Sequence, residues 1–311
     1  MIYLDNAATT FPKPVSVKRA VEQAMARLGA NPGRGGYAMS MAAAKEVYQC
    51  RVEVNEFFHG PGPENVVFPL NCTQALNLVL KGWLRPGDHV VVSDLEHNAV
   101  MRPLQALSEK GVTWTKAHVI PGDNDATVDA FRKALTGKTR LIVCTHASNV
   151  WGFRLPVERI GAMAREYGIP VALDCAQSAG VLPIDMEDMG VDFLCAAGHK
   201  GLYGPMGTGI LIAAQGSRLS TILEGGTGNE SRNLSQPAEM PEHLESGTVM
   251  SRELPGFVLV SGLSGSREKG FTGGKLAMCR RYMTIFQKSR KSFCTLPDQS
   301  MAGLSLSFRA M

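Results

Sequence analysis

Short apolar runs of strand length recur along the chain, and helical stretches separate several of them. No other feature limits the fold as much. The runs are Val66-Val67-Phe68, Val90-Val91-Val92, Leu141-Ile142-Val143-Cys144, Val171-Ala172-Leu173, Phe193-Leu194-Cys195 and Gly209-Ile210-Leu211-Ile212. Each is bounded by turn residues, as buried strands are. Helical spacing is read over 15–29, where Val17, Ala20, Val21, Ala24 and Leu28 share one face, and over 40–58, 73–82, 126–135 and 156–167. A Gly-rich turn, Asn31 to Gly36, lies between the first two helices. Alternation of this kind predicts an α/β fold, a mainly parallel sheet between two layers of helices. In such sheets ligands gather at the carboxyl ends of the strands.

Bulk properties narrow the function. No stretch is apolar enough, for long enough, to span a bilayer, and Met1-Ile2-Tyr3-Leu4-Asp5 lacks the design of a signal peptide, so a cytoplasmic protein is expected with no membrane partner. The seven cysteines are scattered without a C-x-x-C pair, which argues against a metal site and for reduced, buried thiols. The net charge of +4 is too mild to argue for nucleic acid. It is unevenly spread: residues 249–311 hold ten Lys/Arg against three Asp/Glu, so the first 248 are slightly acidic. A basic tail of scattered charges reads as solvated.

The strand ends carry the polar residues. After the first run comes Asn71-Cys72-Thr73-Gln74, where Asn71 or Thr73 can cap a helix whose free amides could hold a phosphate or simply start the helix. After the second comes Glu96-His97-Asn98, with a histidine able to stack on a ring, move protons or sit in a loop. Ser148-Asn149-Val150-Trp151-Gly152 follows the third. Asp174 ends the fourth; a carboxylate there is costly unless it meets a cation or strong donors, though it can also cap a helix. After the fifth stands Gly198-His199-Lys200, a lysine between a buried strand and a Gly-rich turn, where desolvation would favour a Schiff base. Gly204, Gly207 and Gly209 do not form a dinucleotide fingerprint. A phosphate cradle, a ring stacker, a carboxylate and a lysine on successive strand ends are together what pyridoxal 5′-phosphate requires.

In this order the segments resemble the class V aminotransferase family, and within it the cysteine desulfurase-like proteins. The resemblance begins with Leu4-Asp5-Asn6-Ala7-Ala8-Thr9-Thr10 and the loop Asn31–Ser40. It runs through the strand-end segments above and closes with Gly225-Gly226-Thr227-Gly228 and Glu245-Ser246-Gly247-Thr248. It implies a fold-type I transferase dependent on pyridoxal 5′-phosphate. Lys200 would form the Schiff base and Asp174 pair with the pyridinium nitrogen. Gln177 and Asn149 would flank the phenolate, and His97 would stack on the ring and act as acid or base. Cys72, Thr73 and His199 belong to the cofactor-binding set, with Thr73 and His199 on the phosphate. Thr248 would reach the phosphate of a neighbouring subunit in a homodimer. The implied reaction takes sulfur from L-cysteine to an enzyme thiol, leaving alanine, with a sulfur-acceptor protein as a possible partner. Selenocysteine lyase or another class V activity stays open. One departure is Ala197, where the family usually has Ser or Thr as a further phosphate ligand.

The resemblance stops at Thr248. Domains are therefore expected at 1–14, an N-terminal segment associated with the small domain; 15–248, the large cofactor-binding domain; and 249–311, a divergent remnant of an incomplete small C-terminal domain. Cys279 and Cys294 sit in no motif matching the family's nucleophilic cysteine loop, and Arg309 cannot be equated with its substrate-clamping arginine. A frameshift near codon 249 is one expected cause. Read one base earlier, Met250–Gly256 permits the family-like Asn-Val-Pro-Gly-Ile-Ala-Gly. The other expectation is a chain that binds the cofactor without turning over.

Overall fold

The structure is a computed structural model and describes residues 3–33, 35–228 and 232–248. The expected remnant at 249–311, with Cys279, Cys294 and Arg309, lies outside the described residues.

Most helices and strands fall where the apolar spacing places them. Helix α1 is Val15–Arg27 and α2 is Ala38–Phe58. Strand β1, Val66–Val67, leads into α3, Cys72–Trp83. Then come β2, His89–Ser93, and α4, Asn98–Ser108; β3, Thr113–Ala117, and α5, Asn124–Ala134; β4, Thr139–Thr145, and α6, Val157–Glu166. Strand β5 is Val171–Asp174, followed by the single turn α7, Met186–Met189, then β6, Phe193–Ala197, and β7, Gly209–Ala213. The sheet order is β1-β7-β6-β5-β4-β2-β3. Its neighbours from β3 to β6 are parallel, whereas β7 runs antiparallel to both β6 and β1. Mainly parallel is thus the observed arrangement, with one antiparallel strand.

Successive strand residues point to opposite faces, and this parity sorts the core. Leu141, Val143, Ala172 and Cys195 pack with α3 and α4, against Leu76, Leu80, Val100 and Leu104. Ile142, Cys144, Val171, Leu173 and Leu194 pack on the other side, with Val54 and Phe58 of α2, Phe131 of α5 and Ile160 of α6. The same parity carried to the strand ends turns Thr145, Asp174 and Ala197 toward the N-termini of α3 and α4. It turns His146 and Cys175 away.

Three elements lie outside the apolar runs and helical spacings: β3, α4 and the single turn α7. Strand β3 has no apolar run because it is an edge strand, with only Ala117 fully buried. Helix α4 contains Pro103 and is capped by a histidine rather than by Ser, Thr, Asp or Asn.

Candidate active site

At the β1–α3 turn, Asn71 takes an extended backbone and its side-chain oxygen accepts from Gln74 N–H at 2.9 Å. Gln74 Oε1 accepts in return from Leu70 N–H at 2.7 Å. The cap falls to Asn71, so Thr73 stands in the first turn with its hydroxyl free of that duty. The first amides of a helix have no intrahelical acceptor. Those of Cys72 and Thr73 therefore remain for a ligand, at the positive end of the helix dipole. Gly209 makes this turn possible: a Cβ there would lie 2.6 Å from the Asn71 carbonyl carbon.

The turn is anchored from behind. The buried Arg51 guanidinium donates to Val66 O and to both oxygens of Glu245, at 3.0 and 2.6 Å. Glu245 also accepts from Phe68 N–H at 2.7 Å. One carboxylate thereby joins the segment Glu245–Thr248 to the cradle.

A cavity opens above these ends, lined by Cys72, Thr73, His97, Asn149, Asp174, Gln177, His199 and Lys200, with Thr145 and Ala197 among its other walls. Every residue singled out from the sequence is there except Thr248. That hydroxyl accepts from Asn31 Nδ2 at 3.1 Å and does not line the cavity of its own chain.

Asp174 is buried, and only two donors reach its Oδ1: Ala176 N–H at 2.9 Å and the Cys72 thiol at 3.5 Å. Burial pushes its pKa up, against the pull of those donors and of the nearby His97 and Lys200. A carboxyl in this state would gain most from a cation in the cavity. His97 caps α4, and its Nδ1 accepts from Ala99 N–H at 3.0 Å, which fixes the ring proton on Nε2. Gln177 donates through Nε2 to Ala7 O at 3.1 Å and so ties the N-terminal segment to the cavity wall.

Glu96 precedes His97 in the β2–α4 turn. Its side chain is sealed under the site: Oε1 accepts from the Ser93 hydroxyl and from Thr145 N–H at 2.8 Å, while Oε2 is buried without a partner. Burial, with Asp174 nearby, raises its pKa to about 8, so it is neutral at pH 7 and can hold a proton on Oε2. The five described cysteines are all buried and free. Burial first, then Asp174, pushes the Cys72 thiol upward, so it is a weak donor and a poor nucleophile.

The site fits pyridoxal phosphate on these observations: a desolvated carboxyl lacking a cation, two amides and a hydroxyl lacking an anion, and an amine on the wall between them. The family model described as aminotransferase class-V matches residues 2–261. The chain belongs to the class V aminotransferase family. Among curated relatives, a probable cysteine desulfurase of Methanothermobacter thermautotrophicus is 35% identical over 264 residues, 83% of this chain and 64% of that protein. A cysteine desulfurase of Synechococcus elongatus is 32% identical over 80% of this chain and 41% of that protein. The chain thus spans less than two-thirds of these class V relatives. Among solved structures, an apo cysteine desulfurase from Thermococcus onnurineus aligns with a TM-score of 0.79 at 28% identity, covering 86% of this chain and 68% of that one. A cysteine desulfurase from Escherichia coli aligns at 0.73 and 27%, covering 85% and 67%. The fold is that of the fold-type I pyridoxal phosphate transferases.

Proposed function

We propose that this chain is a pyridoxal 5′-phosphate-dependent enzyme of the cysteine desulfurase type, removing sulfur from L-cysteine to give alanine and an enzyme persulfide. The observation that carries this is the buried Asp174 carboxyl facing, across one cavity, the Lys200 amine and the uncapped amides of α3. When bound, the cofactor supplies an electron sink for the substrate's α-carbon. The chain's residues hold and aim it. Asp174 keeps a proton on the ring nitrogen. His97, with Nε2–H toward the cavity, stacks on the ring and is placed to move a proton at the α-carbon. Thr73, His199 and the Cys72 and Thr73 amides receive the phosphate. Gln177 and Asn149 donate to the ring oxygen. Lys200, on the same cavity wall, would hold the cofactor through its aldehyde and, once released, could carry a proton.

Residues 15–248 are the large cofactor-binding domain in this reading, and 1–14 the N-terminal segment associated with the small domain. Thr248 serves the phosphate of a second copy, in a cytoplasmic homodimer. Its position on Asn31, outside its own cavity, supports that assignment. Among the described residues no helix is long and apolar enough to cross a membrane. A sulfur-acceptor protein is the expected partner, and selenocysteine the alternative substrate. Purified full chain supplied with pyridoxal phosphate and L-cysteine tests the reading. With dithiothreitol added to reduce the persulfide and release its outer sulfur, a visible cofactor band with sulfide and alanine formed in equal amounts is expected.

A second reading has its own support: Cys279 and Cys294 match no persulfide-forming motif. In that case the band forms and no alanine appears. A frameshift near codon 249 would account for it, and is tested by resequencing the gene and weighing the native protein. An unbroken frame overturns that explanation.

A further inference from the structure

The N-terminal strap makes a set of contacts that the proposed function does not use. Residues 9–13 lie against the peptide joining His199 to Lys200. The His199 carbonyl is approached by Lys13 Nζ at 2.6 Å, by the Thr9 and Thr10 hydroxyls at 3.1 Å each, and by Thr10 N–H at 3.3 Å. Thr10 Oγ1 also lies 2.9 Å from Lys200 O and 2.8 Å from Lys13 Nζ. Thr9 Oγ1 lies 3.0 Å from His199 Nδ1. The strap is braced internally: Tyr3 Oη donates to Asp5 O and Thr9 O, and Phe11 N–H donates to Asn6 Oδ1.

Counting protons resolves this crowd. A carbonyl has two lone pairs. The ammonium is the nearest and strongest donor, and the Thr10 N–H has no other acceptor. Together they fill the His199 carbonyl. The Thr10 hydroxyl accepts from Lys13 and has one proton, which goes to the nearer Lys200 carbonyl. The Thr9 hydroxyl is then left for Nδ1 of His199. If Nδ1 accepts, the ring proton is on Nε2, the other nitrogen of a ring that lines the cavity.

We propose that Lys13 and Thr9 are positioning residues: the Lys13 ammonium occupies the His199 carbonyl, which frees the Thr9 hydroxyl to donate to Nδ1 and so presents the His199 Nε2–H to an anionic group in the cavity. The proposal rests on the reading of that cavity as a phosphate-ester cofactor site. It is consistent with the surroundings. Burial, with Lys200 and Lys13 nearby, lowers the His199 pKa, so the ring is neutral and its tautomer decides whether it donates. Partial burial lowers Lys13 to about 8, which leaves it mostly charged at pH 7. Ala197, which ends β6 in the cavity wall, has no hydroxyl to offer a phosphate, so a donor fixed by the strap carries more of the binding.

Nitrogen-15 NMR of histidine-labelled full chain, cofactor-free and near neutral pH, tests it, with His199→Gln identifying the signal. The wild type is expected to show His199 protonated on Nε2 alone. Thr9→Val should move the proton toward Nδ1, and Lys13→Met should do so partly, whereas Thr9→Ser and Lys13→Arg keep the wild-type state. Titration with pyridoxal phosphate, and with pyridoxine 5′-phosphate, which has no aldehyde for Lys200, should weaken about tenfold in Thr9→Val for both ligands, as one lost hydrogen bond to a charged group allows. A wild-type His199 protonated on Nδ1 overturns the proposal, and that measurement needs no variant. So does a Thr9→Val chain with unchanged tautomer and affinities. If the wild type binds neither phosphate ester, the cofactor reading fails, while the tautomer still decides the role of Thr9 and Lys13.

Discussion

Asp174 and His146 sit side by side at the ends of adjacent strands, and the His146 N–H donates to the Asp174 carbonyl at 2.9 Å. Both side chains are buried, and burial disfavours the charged form of both. Parity sends them to opposite faces. Asp174 looks into the cavity with donors on one oxygen. His146 is sealed on the far face, where its Nε2 accepts from Arg154 Nε at 3.2 Å and its Nδ1 has no partner. A perturbed pKa alone would mark either residue as functional. The difference is access: only the group that faces a cavity can be completed by a ligand.

The largest effect expected on the cavity side comes from Lys200→Ala, which removes the amine. The visible band of the wild type with pyridoxal phosphate should vanish; a surviving band means another amine holds the cofactor. Asp174→Asn is next. It should weaken cofactor binding by about 100-fold, since a buried cation that loses its partner costs ~3 kcal/mol. The cofactor-free chain should be no less stable, because its carboxyl was held in an unfavourable setting. His146→Phe should show the inverse: cofactor affinity unchanged, and stability to urea lower by about 1 kcal/mol, one net hydrogen bond, since half-exposed Arg154 can turn to water. If His146→Phe weakens the cofactor as much as Asp174→Asn, the contrast between the two faces fails.

How much of this was readable beforehand follows the same divide. Strands β2, β4, β5 and β6 announced themselves because both faces are buried, which leaves runs with no polar residue. Strand β3 did not, because Thr113, Thr115 and Lys116 face solvent at the edge of the sheet. The reversal at β7 left no trace either, since burial on both faces reads alike in either direction. At the site, Asp174 and Lys200 stood out as charges beside buried strands. Glu96, Thr9 and Lys13 did not. Glu96 meets Thr145 N–H 49 residues away, and Thr9 and Lys13 meet the His199 ring and carbonyl across 190 and 186 residues of sequence. No local spacing encodes a contact with so distant a group.

The pH dependence of the cofactor-free chain separates the faces again, more weakly. Glu96 has an unfolded pKa of 4.5 and a folded value of about 8. The native state holds its proton more tightly, so the contribution of Glu96 to stability is full below 4.5 and is lost as pH rises through 8. His146 has its pKa lowered from 6.5 to about 4. Its contribution is full above 6.5 and is lost as pH falls through 4. Urea unfolding from pH 4 to 9 should therefore fall off on both sides, each by on the order of a few kcal/mol at most. Glu96→Gln keeps a neutral side chain and should flatten the alkaline side only. His146→Phe should shrink the acid-side fall and leave the alkaline side unchanged, the remaining acid slope coming from His89 and His199, whose pKa values burial also lowers. A Glu96→Gln chain with an unchanged alkaline slope would mean that Glu96 is ionised in the native state.

The smallest effect concerns a hydroxyl that this chain lacks. Ala197 ends β6 with the parity that faces the cavity, and it is 3% exposed. Ala197→Ser adds one donor where the phosphate is proposed to lie and leaves the backbone pairing with Gly209 untouched. One net hydrogen bond is worth ~1 kcal/mol, so pyridoxal phosphate should bind about fivefold more tightly, measured by titration against the wild type. Without the cofactor the same hydroxyl is buried with no assured partner, so the empty chain should be equally or slightly less stable. Opposite signs for the empty and loaded chains are what place the phosphate at this strand end. A serine that stabilised both alike, or neither, would put it elsewhere along the cavity.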